Sequence, residues 1–287
     1  NVVGSNIFNI LFILGLSAVI TPLLVAQQLI RQEVPIMIGT SLLLFVLALD
    51  RSIGRAEGLL LIVLLVAYVV FLIRQSRNAN RALRDEAASE VSRMTAGGWD
   101  DRLPVQLLLI AGGLGLRVLG ADWCVDGATR IARSFGISEL VIGLTIVAGG
   151  TSMPEVATSI LAAVRGERDI AVGNVVGSNI FNILGCLGIS AVLAPASLTV
   201  AESMVAFDIP AMMAVAIACL PIFFTGNTIS RWEGGVFLGY YVAYTTYLVL
   251  SARQHDAIDE FGLVMRWVVI PLTVVTLAVV MYRRRAD

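Results

Sequence analysis

The sequence predicts an all-α polytopic membrane protein organised as inverted five-helix repeats. Three observations predict it. The 287 residues are 57% hydrophobic and only 14% charged, with a mean hydropathy of +0.86; soluble domains run nearer about a quarter charged. Apolar runs of roughly 17 to 25 residues recur along the chain, the length that crosses a bilayer as a helix. The chain also repeats itself. Asn1 to Leu11 is identical to Asn174 to Leu184, and most positions stay identical through Pro22 and Pro195. Further on, Arg55-Ala56-Glu57-Gly58 is echoed by Arg231-Trp232-Glu233-Gly234. An odd number of spans separates the matching elements, so the two copies insert in opposite orientation. Inverted repeats around a midplane site are an architecture of secondary transporters.

Taken in order, Asn1 to Leu24 is the first apolar span and Val34 to Leu49 the second. Arg51, Arg55 and Glu57 mark a polar turn before the third, Gly58 to Ile73. Arg74 to Arg102 is rich in charges of alternating sign and reads as a loop holding an amphipathic helix outside the membrane. Leu103 to Phe135 is long for one upright helix and carries Arg117, Asp122 and Asp126. It reads as a single tilted helix, with local pairing among those charges. Glu139 to Val164, Ile170 to Ala194, Ser203 to Phe224 and Trp232 to Leu250 are the fifth to eighth spans. Leu263 to Tyr282 is a ninth, with Trp267 and Tyr282 suited to its interfaces. Counted on alternate sides, most arginines fall with Arg74 to Arg102, which places that side in the cytoplasm. Asp50, Glu57, Glu202, Asp208 and Glu233 lie near span ends and read as solvated or paired interfacial groups.

Composition also excludes. A net charge of −1 implies no nucleic-acid partner. Cys124, Cys186 and Cys219 are isolated and form no CxxC, which argues against disulfides and thiolate metal sites. The single histidine, His255, lies in a polar loop. No membrane-embedded His or Lys offers a base to Ser152 or Ser178, and no HExxH occurs, so intramembrane hydrolysis is not the reading. The expectation is a non-enzyme with no cofactor, whose surroundings are membrane lipid.

Two clusters carry chemistry. In the fifth span, Thr151, Glu155 and Ser159 recur at i, i+4, i+8 on one helical face. Ser152 and Thr158 flank that face. Gly149-Gly150 and Pro154 interrupt the helix, because proline lacks an N–H and displaces the carbonyl four residues back. A broken membrane helix is tolerated where its freed carbonyls line a cavity or meet a ligand. An acid in mid-membrane marks an ion or substrate pathway. In the sixth span, Asn174, Ser178 and Asn182 form a second polar stripe, and Asn1, Ser5 and Asn9 repeat it in the first half. Carbonyls, hydroxyls and one carboxylate are hard donors suited to Na⁺ and Ca²⁺. Asn6 and Asn179 lie about 100° off the stripe and are expected to bond backbone instead of an ion. Gly173 and Gly177 have the small-xxx-small spacing that admits a neighbouring helix.

With Gly143-Leu-Thr-Ile-Val-Ala-Gly-Gly-Thr-Ser-Met-Pro-Glu155 and the twice-present Gly-Ser-Asn-Ile-Phe-Asn in view, the chain resembles the sodium/calcium exchanger family of cation antiporters, closest to its bacterial branch, as far as about Leu250. The resemblance implies ten helices in two inverted halves, of which about eight are present; the ninth span, Leu263 to Tyr282, exceeds that plan. It divides the chain into a truncated first repeat (1–73, its last three helices), a cytoplasmic loop (74–102), a second repeat of five helices (103–251), and a further segment with a basic tail (252–287). Roughly two more spans, with a first-half glutamate, are expected before Asn1. The resemblance implies Na⁺/Ca²⁺ exchange in a bacterial inner membrane, with cation/proton antiport on the same scaffold as the alternative. It assigns cation contacts to Glu155, Thr151, Ser152, the Ala148 carbonyl, Ser178, Asn182, Ser5 and Asn9. Asn at 182, where potassium-dependent members carry an acid, weakens K⁺ co-transport. The motif of the calcium/proton branch is missing.

Overall fold

The computed structural model describes residues 1–87, 103–134, 142, 147–224, 226–252, 262–265, 267, 270–271 and 274. Its helices are α1 (Val2–Ile20), α2 (Leu29–Leu47), α3 (Arg55–Ala87), α4 (Leu103–Ser134), α5 (Ala148–Thr151), α6 (Met153–Arg165), α7 (Arg168–Leu193), α8 (Met204–Phe224) and α9 (Arg231–Ala252). Two-residue strands lie between them: β1 (Leu23–Leu24), β2 (Ser52–Ile53), β3 (Leu198–Thr199) and β4 (Thr228–Ile229).

The packing obeys a two-fold rule that follows from the sequence repeat. β1 pairs antiparallel with β4, and β2 with β3, so each strand pairs across the halves with the counterpart of the other strand in its own half. The same exchange holds for helices. The last turns of α1 pack on α9, those of α7 pack on α3, and α2 packs on its own equivalent, α8. Turns preceding β2 and β4 both use a left-handed residue, Arg51 (φ 62°) and Asn227 (φ 52°).

Every member of the repeated Arg-x-Glu-Gly motif does the same work twice. Arg55 Nη2 donates to the Ala194 carbonyl just past the end of α7 (3.3 Å), and Arg231 Nη2 donates to the Ile20 carbonyl at the end of α1 (3.4 Å). Cations suit carbonyl-rich helix ends. Glu57 Oε2 accepts from the Gly54 N–H (3.0 Å), and Glu233 Oε2 from the Ser230 N–H (2.7 Å), each capping its own helix start. Gly58 and Gly234 sit where helices touch. A Cβ at Gly234 would stand 2.7 Å from the Gly15 carbonyl oxygen, and one at Gly58 would stand 2.9 Å from that of Gly188. These four glycines make the close approaches; Gly173 and Gly177 do not, since no heavy atom among the described residues lies nearer than 3.9 Å to a Cβ placed at either.

Helix boundaries depart from the apolar runs for local reasons. α1 stops at Ile20 instead of Leu24, because Thr21 precedes Pro22 and takes extended backbone (φ −145°, ψ 126°). α2 starts at Leu29 with a π turn through Arg31 and Glu33. α3 runs on as helix through Arg74 to Ala87, beyond the expected span. α4 is one helix, as expected. Residues 88–102, the Arg117 side chain and most of the ninth segment lie outside the described residues.

Burial ranks the helices. The most apolar stretch of α1 is 72% buried and that of α3 11%. α1 and α7 therefore form the centre, while α3 and α4 expose Val63, Val66, Leu108, Leu116 and Trp123 on faces fit for lipid. Two acids read as interfacial are instead buried. Glu233 is 1% exposed, because its carboxylate turns inward to cap α9, and Asp208, 8% exposed, accepts from the Tyr244 hydroxyl at 3.0 Å. Glu202 does pair at the surface, with Arg51 at 3.1 Å. Ser230→Ala, which removes the 2.6 Å hydroxyl bond to Glu233, is expected to cost about 1 kcal/mol, read as a lowered melting temperature in detergent.

Candidate cation site

The site is built where α1 and α7 cross and where α5 and α6 abut them. Both central helices change pitch at the same residue of the repeat: α1 has a π segment at Asn9–Leu14, and α7 at Asn182–Leu187. π turns cost hydrogen-bond quality and concentrate at functional positions.

Four asparagines knit this crossing. Asn6 Nδ2 donates to the Asn179 carbonyl and Asn179 Nδ2 to the Asn6 carbonyl, both at 3.3 Å. Each amide also reaches a methionine sulfur of α8 or α2, Met212 for Asn6 and Met37 for Asn179, both at 3.6 Å. Asn9 Nδ2 donates to Asn179 Oδ1 (2.9 Å), and Asn182 Nδ2 donates to Asn6 Oδ1 (3.0 Å). Asn6 and Asn179, each 1% exposed, thus bond backbone across the halves, as their place off the stripe suggested. Asn9 is also 1% exposed, and its Oδ1 has no hydrogen-bond partner among the described residues. Leaving a buried amide oxygen unbonded costs about 1–3 kcal/mol, which a cation would recover.

The second half contributes a break at Ser152 (φ −96°, ψ 3°) between α5 and α6, with Pro154 in the first turn of α6. The Ser152 N–H, which would bond the Ala148 carbonyl in a regular helix, bonds the Gly149 carbonyl instead (3.1 Å). That withdraws the ladder donor from Ala148, and Pro154 withdraws the one from Gly150. Of the two glycines, packing restricts Gly150: a Cβ there would come within 2.4 Å of Val125 Cγ2 on α4, whereas one at Gly149 would make an ordinary 3.5 Å contact with the Phe8 ring. The expected face of Thr151, Glu155 and Ser159 is split by this break: Thr151 is exposed, Glu155 half-buried and Ser159 buried.

Asn1 Oδ1 accepts from Ser5 Oγ (3.4 Å) and from Thr151 Oγ1 (3.3 Å), tying the first-half stripe to α5. Asn174, its counterpart, donates to Ser159 Oγ (3.0 Å) and fastens α7 to α6. The top of each stripe is therefore spent on helix contacts. Below it, the fold links Ser5 to Thr151 through Asn1, and Asn9 to Asn182 through Asn6 and Asn179. Glu155, Ser152 and Ser178 come from α6, the break and α7, and α6 packs on both α7 and the π segment of α1. Among the described residues no three His, Cys, Asp or Glu side chains cluster. The donor set is one carboxylate among neutral oxygens, which fits a hard cation. The reciprocal Asn6–Asn179 bonds were only half legible: helical periodicity showed them off the stripe, but not their partners. The methionine contacts had no sequence signal.

The chain has recognisable relatives. The profile of the sodium/calcium exchanger protein family matches residues 1–74 and 105–250. CaxA of Alkalimonas amylolytica, whose name describes an antiporter, is 37% identical over 257 residues, covering 88% of this chain and 78% of that protein. A sodium/calcium exchanger of Methanosarcina acetivorans is 32% identical over 282 residues, covering 86% and 79%. The solved sodium/calcium exchanger from Methanococcus jannaschii superposes with a TM-score of 0.65 at 29% identity, covering 86% of this chain and 74% of that one.

Proposed function

The chain belongs to the sodium/calcium exchanger family, and from that premise we propose that it exchanges Na⁺ for Ca²⁺ across a bacterial inner membrane. One observation carries the reading. Asparagine side-chain amides from both repeat copies bond each other across the α1–α7 crossing, and α6, which carries the half-buried carboxylate Glu155 just past a helix break, packs on both helices. Glu155 supplies the charge of the site. Thr151, Ser152, Ser5 and Ser178 supply hydroxyls, the Ala148 carbonyl a backbone oxygen, and Asn9 and Asn182 their amide oxygens. A desolvated site of fixed negative charge cannot hold Ca²⁺ and a full load of Na⁺ together without repulsion. The ions therefore bind by turns. Rocking of one group of helices past another opens the site to each side, with the 74–102 segment on the cytoplasmic face.

In vesicles holding the full-length protein, an outward Na⁺ gradient is expected to drive ⁴⁵Ca²⁺ uptake that saturates. Uptake indifferent to Na⁺ would sink the proposal, and uptake driven by a pH gradient in place of Na⁺ would replace it with cation/proton antiport.

A further inference from the structure

Amide groups look alike from both ends, so an asparagine that offers an oxygen to a cation needs something to stop it presenting its N–H₂. Here that restraint is traceable to backbone. The Asn179 carbonyl can only accept, so the Asn6 group facing it must be Nδ2. That choice sends Asn6 Oδ1 the other way, where it can only accept, so Asn182 must meet it with Nδ2. The Asn182 oxygen is then released from the crossing. Its contact within α7 is the Cys186 thiol at 3.9 Å, a weak one. The same relay runs from the Asn6 carbonyl through Asn179 to Asn9, whose oxygen is left buried and unbonded among the described residues. Turning any one amide over would set oxygen against oxygen at a crossing where Asn6, Asn9 and Asn179 are each 1% exposed, and unmade bonds are costly there.

We propose that Asn6 and Asn179 are positioning residues that hold the amides of Asn9 and Asn182 oxygen-outward, each acting across the repeat on the other half's ligand. This rests on the cation-site reading above. It adds that neither half can orient its own asparagine: Asn9 of the first half is set by Asn179 of the second, and Asn182 by Asn6. The relay also selects amide over carboxylate at both ligand positions. A carboxylate at 9 or 182 has no N–H, so it would confront the acceptor oxygen of Asn179 or Asn6.

That confrontation supplies the test, because it reverses the sign of one mutation. In the full-length protein, N179A frees the Asn9 amide and is expected to raise the KM for Ca²⁺ about tenfold, with kcat within about twofold. N9D is expected to lower the melting temperature without added ions, since acceptor faces acceptor. N9D/N179A removes that opposition and is expected to melt above N9D and to bind Ca²⁺ more tightly than N9D. N179A thus harms the natural background and helps the Asn9→Asp one. The pair N182D and N6A/N182D repeats the test in the other half and serves if the first set does not fold. Costs that simply add, with the double variant worse than N9D in both readouts, would overturn the clamp. If the natural protein moves no Ca²⁺ on a Na⁺ gradient, the transport reading falls. The ion-free melting comparison still decides the clamp by itself.

Discussion

Glu155→Gln is expected to abolish Na⁺-driven Ca²⁺ uptake while the protein still expresses and melts as before. The change is nearly isosteric and removes one unit charge from a half-buried group on α6. At contact distance and an effective dielectric constant of about 20, one charge contributes about 4 kcal/mol to a monovalent cation, which is roughly three orders of magnitude in affinity. The loss for a divalent cation is larger. The surrounding hydroxyls and amide oxygens are neutral, and none of them can replace that charge. Uptake at the natural rate in this variant would remove Glu155 from the site and shift the charge requirement elsewhere. Thr151→Ala is a milder comparison, because it deletes one neutral oxygen and the link to Asn1.

Gly234→Ala should be among the most destabilising small substitutions in the molecule. The added methyl would stand 2.7 Å from the Gly15 oxygen, 2.8 Å from Ala18 Cβ and 3.0 Å from the Val19 nitrogen. Two of these neighbours are backbone, so relief requires α9 and α1 to separate. Overpacking of this kind costs about 1–3 kcal/mol and more where nothing can yield. By the two-fold rule Gly58→Ala should behave the same way, meeting the Gly188 oxygen and Ala191 Cβ at 2.9 Å. Gly235→Ala is the control one residue away. No heavy atom lies within 4 Å of that Cβ among the described residues, and alanine is the better helix former by about 1 kcal/mol. Thermal melting of the three purified variants reads the contrast. Equal melting temperatures for Gly234→Ala and Gly235→Ala would mean that the α1–α9 contact is not close.

Much of the fold was legible because membrane helices announce themselves by length and hydropathy, and because the duplication is nearly verbatim. The candidate site was read from residue type: Glu155 stood out as an acid in an apolar span, and Asn9 and Asn182 as copies of one polar position. What resisted was whatever depends on a partner. Gly173 and Gly177 have the right spacing for close helix approach, yet Gly15, Gly58, Gly188 and Gly234 make it. Spacing reports which residues share a face, whereas contact depends on what that face meets. Glu233 and Asp208 looked interfacial by position, but a capping bond and a tyrosine hydroxyl hold them inside. Asn174 and Asn182 share a stripe and a residue type, yet the first fastens α6 while the second turns toward the opposite half.

The amino-acid sequence by itself determined that this is a membrane protein of two related, oppositely inserted halves, with the carboxylate of Glu155 and a doubled set of hard oxygens inside apolar runs. Those are properties of composition, run length and self-identity, and they need no third dimension. The tertiary structure alone decided which amide ends the α1–α7 crossing uses. Asn6 and Asn179 are separated by 173 residues, and only folding sets each amide against the other's carbonyl. Hydrogen bonds have direction, and that direction passes from a backbone carbonyl through one amide to the next. Which end of the Asn9 or Asn182 amide the crossing uses is therefore set in the opposite half of the protein.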